Sequence, residues 1–219
     1  MVAEDLTNAA EDFLKATFEL ERDEGRATTN GLAVRLGVSA PTVTVMAKKL
    51  DELQLVERTP YRGLTLTRRG RLVALEVVRH HRLLERYLVE TLGMSLDEVH
   101  IEAERLEHVL SEELEQRIDE ALGFPTHDPH GDPIPTRELE LAEGLERSLA
   151  SLEPGDQTTV TRVPDRDGEL LRYLAELELL PGARVEVVLQ APFGGPVTVR
   201  SGGREHALAR ELAASIGVA

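Results

Sequence analysis

The sequence predicts a mainly α chain with β structure in two places: a β-hairpin closing a first helical domain, and a small β-barrel at the end. Three observations predict it. Apolar residues recur at helical spacing from Phe13 to Leu20 and again from Leu72 to Leu92. Gly37 separates two short helical segments, and two strand-like runs follow them directly. From Ser151 onward, LEPGDQTTVTRVP, LLPGARVEVVLQAP and GPVTVRSGG alternate β-branched runs with Pro-Gly turns, and ALARELAASI closes them with a helical turn. The expected domains are 1–73, 74–150 and 151–219.

With 219 residues and 41% hydrophobic content, the chain can bury two or three small cores. It has no cysteine, which excludes disulfides, thiolate zinc sites and cysteine nucleophiles. The start, MVAEDLTNAAEDFLK, lacks the basic and apolar regions of a signal peptide. No apolar stretch approaches the ~20 residues that span a bilayer. The expectation is a cytoplasmic chain without a membrane partner. A formal net charge of −15 argues at first against nucleic acid, but the charge is unevenly spread. Arg35, Lys48, Lys49, Arg58, Arg62, Arg68 and Arg69 fall in the first third, whereas Asp and Glu dominate from Asp97 to Glu120. One part is suited to polyanions and another to cations.

Glu4 to Glu24 reads as a first helix, with Phe13, Leu14, Thr17, Phe18 and Leu20 on its apolar stripe. Asp12 lies beside that stripe, and spacing alone makes it a solvated carboxylate. Asn30 is read as the cap of a short helix through Leu36, Gly37 as the turn, and Ser39 as the cap of a second helix with Pro41 in its first turn. This is a helix-turn-helix. Its second helix opens with Ser39, Pro41, Thr42 and Thr44, where a recognition helix meets base edges, and Lys49 follows. Leu55–Arg58 and Leu64–Thr67 then read as strands around a turn tipped by Arg62, which makes the pair a wing with a phosphate or minor-groove contact. Caps, turn, wing and basic charge agree on binding to double-stranded DNA.

The middle of the chain carries the ligand-like residues. Arg69 to Gly93 reads as one long helix, on which His81 and Glu85 stand at i and i+4, able to ligate one ion. Asp97 to Leu122 reads as a second helix, entered through a Ser95–Glu98 capping box. On a continuous helix His100, Glu104, Glu107 and His108 share one stripe. Two carboxylates between two imidazoles fit a divalent cation. They also fit an acidic solvated face with two incidental histidines. The two apolar-faced helices look like a dimerisation bundle. Phe124 to Thr136 is a Pro/Gly loop, where His127 and His130 suit an ordered turn better than a ligand pair, and Leu139 to Leu149 reads as a short helix.

The stretches AEDFLKATFEL, LGVSAPTVT, RHHRLLER, HIEAERLEH and PHGDPIP together resemble the diphtheria toxin repressor family of metal-dependent transcription regulators, along nearly the whole chain. The resemblance implies a winged-helix domain, a helical metal-binding and dimerisation domain, and an SH3-like barrel. It implies a primary metal site of Asp12, Glu104, Glu107 and His108. It also implies an ancillary site of His81, Glu85 and His100, completed in some members from the barrel, where Asp165 to Glu169 supplies the candidates Asp167 and Glu169. The place of Asp12 rests on the resemblance alone. Iron-sensing members carry sulfur-containing residues where this chain has Asp12 and Glu104, so the resemblance favours the manganese-sensing branch. Hard oxygen and imidazole donors suit Mn(II), with Fe(II) as the alternative. Lys15 stands where two-metal manganese sensors place a carboxylate, which argues against a closely spaced pair of ions. Val45 replaces a polar recognition-helix residue of the iron regulators, which argues against an identical operator.

The leading expectation is a metal-activated homodimeric repressor of metal-uptake genes. A carboxylate-bridged metal oxidase would need Glu-x-x-His pairs from two helices, but Arg105 stands three before His108. A sensor of organic ligands would want more than the 3% aromatic content present. Neither a nucleophile elbow nor a phosphate-binding glycine loop is found, so an enzyme is not expected.

Overall fold

The computed structural model describes residues 6–59, 63–142, 147–165 and 167–219. The expected wing-tip Arg62 and the helix start at Glu4 lie outside the described residues. The chain forms two compact units, residues 1–80 with 107–109 and 135–141, and residues 81–106 with 110–134 and 142–219.

The first unit is a winged helix-turn-helix. Helix α1 (Asn8–Glu24) buries Phe13, Leu14, Phe18 and Leu20, the stripe its spacing predicts. Helix α2 (Thr29–Leu36) is capped by Thr28, whose hydroxyl accepts from the Gly31 amide, so Thr28 and not Asn30 is the cap. Thr28 has the extended backbone of a cap residue, whereas Asn30 is already inside the first turn. Gly37 closes α2 at φ 64°, and Ser39 caps α3 (Ala40–Glu52) through the Thr42 amide. Strands β1 (Val56–Thr59) and β2 (Gly63–Leu66) pair antiparallel from Val56–Leu66 to Thr59–Gly63. Gly63 has φ 95°, and a Cβ there would meet the Ala27 carbonyl oxygen at 2.3 Å; the neighbouring Leu64 amide donates to that same oxygen. Leu32, Val43, Ala47, Leu50, Leu55 and Val56 complete this core with Val73, Ala74 and Val78 of α4 (Arg68–Leu92).

In the second unit, the end of α4 packs Leu83 and Leu84 with Ala103 of α5 (Leu96–Leu106), Ile118 of α6 (Glu112–Ala121) and Ile134. The expected single helix from Asp97 to Leu122 is therefore two helices. Ser111 ends the run because its hydroxyl accepts from the Leu114 amide, and Glu112, Glu113 and Glu115 crowd the first turn of α6, where a helix N-terminus favours negative charge. Glu107 and His108 consequently lie in the turn after α5, not on a stripe shared with His100. The helix expected over 139–149 is absent from its described part. Leu139 has φ 58°, Arg147–Ser148 forms strand β3 and Leu149–Ser151 a 3-10 turn; residues 143–146 lie outside the described residues.

The barrel adds β4 (Gln157–Arg162), α7 (Gly168–Glu176), β5 (Arg184–Gln190), β6 (Val197–Ser201), β7 (Arg204–Leu208), α8 (Arg210–Ser215) and β8 (Gly217–Val218). Its antiparallel strand order is β3-β8-β4-β5-β6-β7 around Val160, Leu174, Val187, Val199 and Ile216. Helix α7 has a weak signature in the sequence because it follows a Pro-Asp-Arg-Asp-Gly stretch that looks like a turn. Its Arg172 pairs with Asp97 of α5 at 2.6 Å.

Candidate metal centre

In the first unit α1 faces the 107–109 turn. His108 directs Nε2 to Asp12 Oδ1 at 2.8 Å and lies 3.6 Å from Glu107 Oε1. One ligand atom from each of the three residues lies within 4.8 Å of the others. Lys15, one turn along α1, donates to both oxygens of Glu107 at 2.9 and 2.7 Å, and His80 Nδ1 lies 3.1 Å from the Glu107 carbonyl. Glu107 is 2% exposed, so its charge is held by partners and not by water. The hydrogen bond to Asp12, set against burial and joined by one to Glu11, pushes the His108 imidazolium up to about 9.

In the second unit Glu85 is fully buried and uses each carboxylate oxygen for a different task. Oε1 lies 3.0 Å from His81 Nε2 and 3.1 Å from His100 Nδ1. Oε2 lies 3.5 Å from His130 Nδ1. Burial works to raise the Glu85 carboxyl, but His81, His100 and His130 outweigh it and hold it well below the usual range. Burial likewise opposes charge on His100 and His130, yet carboxylate contacts push them up to about 10 and about 9. Asp128 is pushed up to about 7 by burial and by the charges of Glu85 and Asp132. Its Oδ1 accepts the amides of His130, Gly131 and Asp132, the turn that aims His130 inward.

Both clusters fit a divalent ion by the chemistry of their donors. They offer carboxylate oxygen and imidazole nitrogen, and the chain contains no thiolate. Among the described residues, the buried Glu85 Oε2, Asp128 Oδ2 and His130 Nδ1 have no hydrogen-bond partner. His130 Nε2 faces the Leu96 carbonyl at 3.2 Å, so a neutral ring donates there and turns the Nδ1 lone pair towards two carboxylates. Only a cation or a proton makes that arrangement favourable.

The winged unit presents the other face of the chemistry. Ser39, Pro41, Thr42, Thr44 and Lys49 lie at the surface around α3, with Thr44 Oγ1 donating to the Ala40 carbonyl and the Ser39 and Thr42 hydroxyls 2.8 Å apart.

Residues 5–64 match the N-terminal DNA-binding domain of iron-dependent repressors, residues 67–136 their metal-binding and dimerisation domain, and residues 147–219 the FeoA domain. The iron-dependent repressor IdeR of Mycobacterium leprae (strain TN) is 34% identical over 98% of both chains. The chain belongs to the diphtheria toxin repressor family. Among solved structures, a manganese-dependent transcriptional repressor in complex with manganese superposes with a TM-score of 0.87 at 40% identity, covering 96% of this chain and 99% of that one. The manganese regulator SloR superposes with a TM-score of 0.83 at 31% identity, covering 98% and 99%. This diphtheria toxin repressor relative is thus a metal-dependent DNA-binding regulator and not an enzyme, with an SH3-like third domain and a metal-binding dimerisation domain.

Of the residues read from the sequence of this family member, the structure brings together Asp12, Glu107 and His108, and separately His81, Glu85 and His100. Glu104 contacts His100, Oε1 to Nε2 at 3.5 Å. Asp167 is occupied as the cap of α7, accepting from the Glu169 and Leu170 amides, and Glu169 is exposed in its first turn. Neither joins a converging cluster among the described residues. Asp165 is the barrel carboxylate whose charge reaches His100. Sequence reasoning missed Asp128 and set His130 aside. Their signal is in the loop HDPHGDP, where two histidines and two aspartates are held by prolines, but an ordered turn explains it equally well. The turn is indeed ordered, and its order is what aims His130.

Proposed function

We propose that this chain is a Mn(II)-activated repressor of metal-uptake genes that binds an operator as a homodimer. The observation that carries the reading is the donor set: Asp12, Glu107 and His108 converge with no sulfur among them. Glu104 is the proposed fourth member. His81, Glu85 and His100, extended by Asp128 and His130, form the proposed second centre, with Asp165 as the barrel carboxylate whose charge acts on His100. A bound ion supplies positive charge that offsets the repulsion among these carboxylates. Asp12 then holds α1 to the 107–109 turn, and Glu107 and His108 fix that turn. Ser39, Thr42 and Thr44 are proposed to meet base edges, with Pro41 shaping the start of α3 and Lys49 and Arg62 meeting phosphates. Two recognition helices must sit about one DNA turn, ~34 Å, or a multiple apart. Ion binding selects that spacing only through differential affinity, about 5.5 kcal/mol to move a balance from mostly unfit to mostly fit.

The test is DNA binding measured with chelator, Mn(II), Fe(II) and Zn(II) in turn. Mn(II) should activate at lower free concentration than Fe(II), and chelator should abolish binding. Equal binding in chelator would remove the regulatory reading; preference for Fe(II) would move the chain to the iron-responsive members.

A further inference from the structure

The first cluster contains a carboxylate that the ligand set does not use. Glu11 precedes Asp12 on α1, and its Oε2 lies 2.6 Å from His108 Nδ1, while Asp12 Oδ1 faces Nε2 of the same ring at 2.8 Å. Successive helix residues point about a quarter-turn apart, so two neighbours can grip opposite edges of one ring. The Glu11 and His108 side chains are 14% and 6% exposed, so water competes little for the contact.

We propose that Glu11 is the positioning residue of the centre: it accepts the Nδ1–H of His108 and thereby commits Nε2 to the ion. This rests on the reading that Asp12, Glu107 and His108 hold that ion. A neutral imidazole carries one proton, and whichever nitrogen keeps it cannot ligate. Nε2 is the nitrogen that lies with Asp12 and Glu107, so the productive tautomer has its hydrogen on Nδ1, where Glu11 waits. A carboxylate behind the ring also makes the opposite nitrogen a stronger donor. Glu11 therefore acts through His108 and does not touch the ion. Glu107 differs: Lys15 occupies both of its oxygens, so α1 contacts both residues of the turn as well as supplying one ligand of its own, but it backs only His108.

The test has two arms on the full chain. In the first, nitrogen NMR of the imidazole of His108 is recorded with diamagnetic Cd(II) bound. The expected signature is a protonated Nδ1 and a ligated Nε2; ligation through Nδ1 overturns the proposal without any substitution. In the second, Mn(II) affinity and stoichiometry are measured for Glu11→Ala and Glu11→Gln, in a His81→Ala background that removes a ligand of the other cluster. Glu11→Ala should weaken binding about 10–100-fold with the ion count unchanged. Glu11→Gln should stay close to the parent, because its amide oxygen accepts the same N–H. If Glu11→Gln falls as far as Glu11→Ala, or the ion count drops, Glu11 is a ligand and the proposal fails. Unchanged affinity in Glu11→Ala also overturns it. Asp12→Ala is the control: if it binds like the parent, the ligand assignment itself has failed, whereas weak binding there beside full binding in Glu11→Ala sinks only the role of Glu11.

Discussion

Lys15 decides the electrostatics of the first centre at the scale of single residues. Its ammonium grips both oxygens of Glu107, with the two side chains 10% and 1% exposed. Breaking a buried pair from one side costs about 3–5 kcal/mol because the remaining charge is left unpaired. Lys15→Met should therefore lower the unfolding temperature of the metal-free protein, and Mn(II) should restore more of it than in the parent. Affinity should rise as well, since a competing positive charge has gone: at least about tenfold, or ~1.4 kcal/mol. Both effects have the same sign, so weaker binding in a calorimetric titration would contradict the competing role of Lys15. His108 adds a pH dependence. Its folded value of about 9 exceeds the ordinary 6.5, so its imidazolium stabilises the metal-free fold fully below pH 6.5 and loses that contribution as pH rises through about 9. The same proton competes with the ion. Mn(II) affinity at this centre should climb over that interval, and a flat profile would show that His108 is not a ligand.

At the scale of elements, the parts legible in the sequence are those where one local rule acts alone. Ser39 before Pro41 and Gly37 after Leu36 follow from caps and turn and are found, and the two wing strands expected at Leu55–Arg58 and Leu64–Thr67 are found one residue away, at Val56–Thr59 and Gly63–Leu66. The break between α5 and α6 is not legible because helical spacing and a good cap compete over the same residues. Leu106, Leu110 and Leu114 keep an apolar rhythm across Ser111, yet Ser111 starts a new helix. Reading past it puts Glu107 and His108 on a stripe with His100. Of the four, Glu107 and His108 lie in the turn after α5 and converge with Asp12, whereas His100 and Glu104 stay on α5. Ser111→Ala should cost about 1 kcal/mol in denaturant unfolding, as loss of a cap does. Gly131 is less forgiving. It has φ 97°, and a Cβ there would lie 1.9 Å from the Thr161 carbonyl oxygen of β4. Gly131→Ala must shift the turn that aims His130, so it should lower stability more than Ser111→Ala does. Ion binding at the Glu85 cluster should weaken while the Asp12 cluster keeps its own. Equal weakening at both clusters in a stoichiometric titration would count against their independence.

Across the whole molecule, the puzzle is a chain of formal charge −15 that belongs to a family of DNA-binding repressors. Long-range repulsion from the acidic segments is screened beyond about 8–10 Å in physiological salt. What DNA meets is therefore the local surface of the winged unit. There Lys48 and Lys49 are exposed on α3, with Lys48 within 3.9 Å of Glu52. Lys49 is thus the better proposed phosphate partner of the two. Removing one lysine from a phosphate should reduce the slope of log affinity against log salt by roughly one. Lys49→Ala should weaken operator and unrelated DNA alike, and its salt slope should be shallower by about that amount per subunit. Thr42→Ala should behave differently. It removes a hydroxyl poised at the start of the recognition helix without removing charge, so its salt slope should match the parent while discrimination between operator and unrelated DNA narrows. A mismatch at a base pair read in this way is worth about 1–3 kcal/mol. Fluorescence anisotropy over a range of salt concentrations, with saturating Mn(II) throughout, separates the two outcomes. If Lys49→Ala leaves both affinity and slope unchanged, the charged end of α3 is not at the phosphates, and the acidic excess of the chain regains its force as an objection.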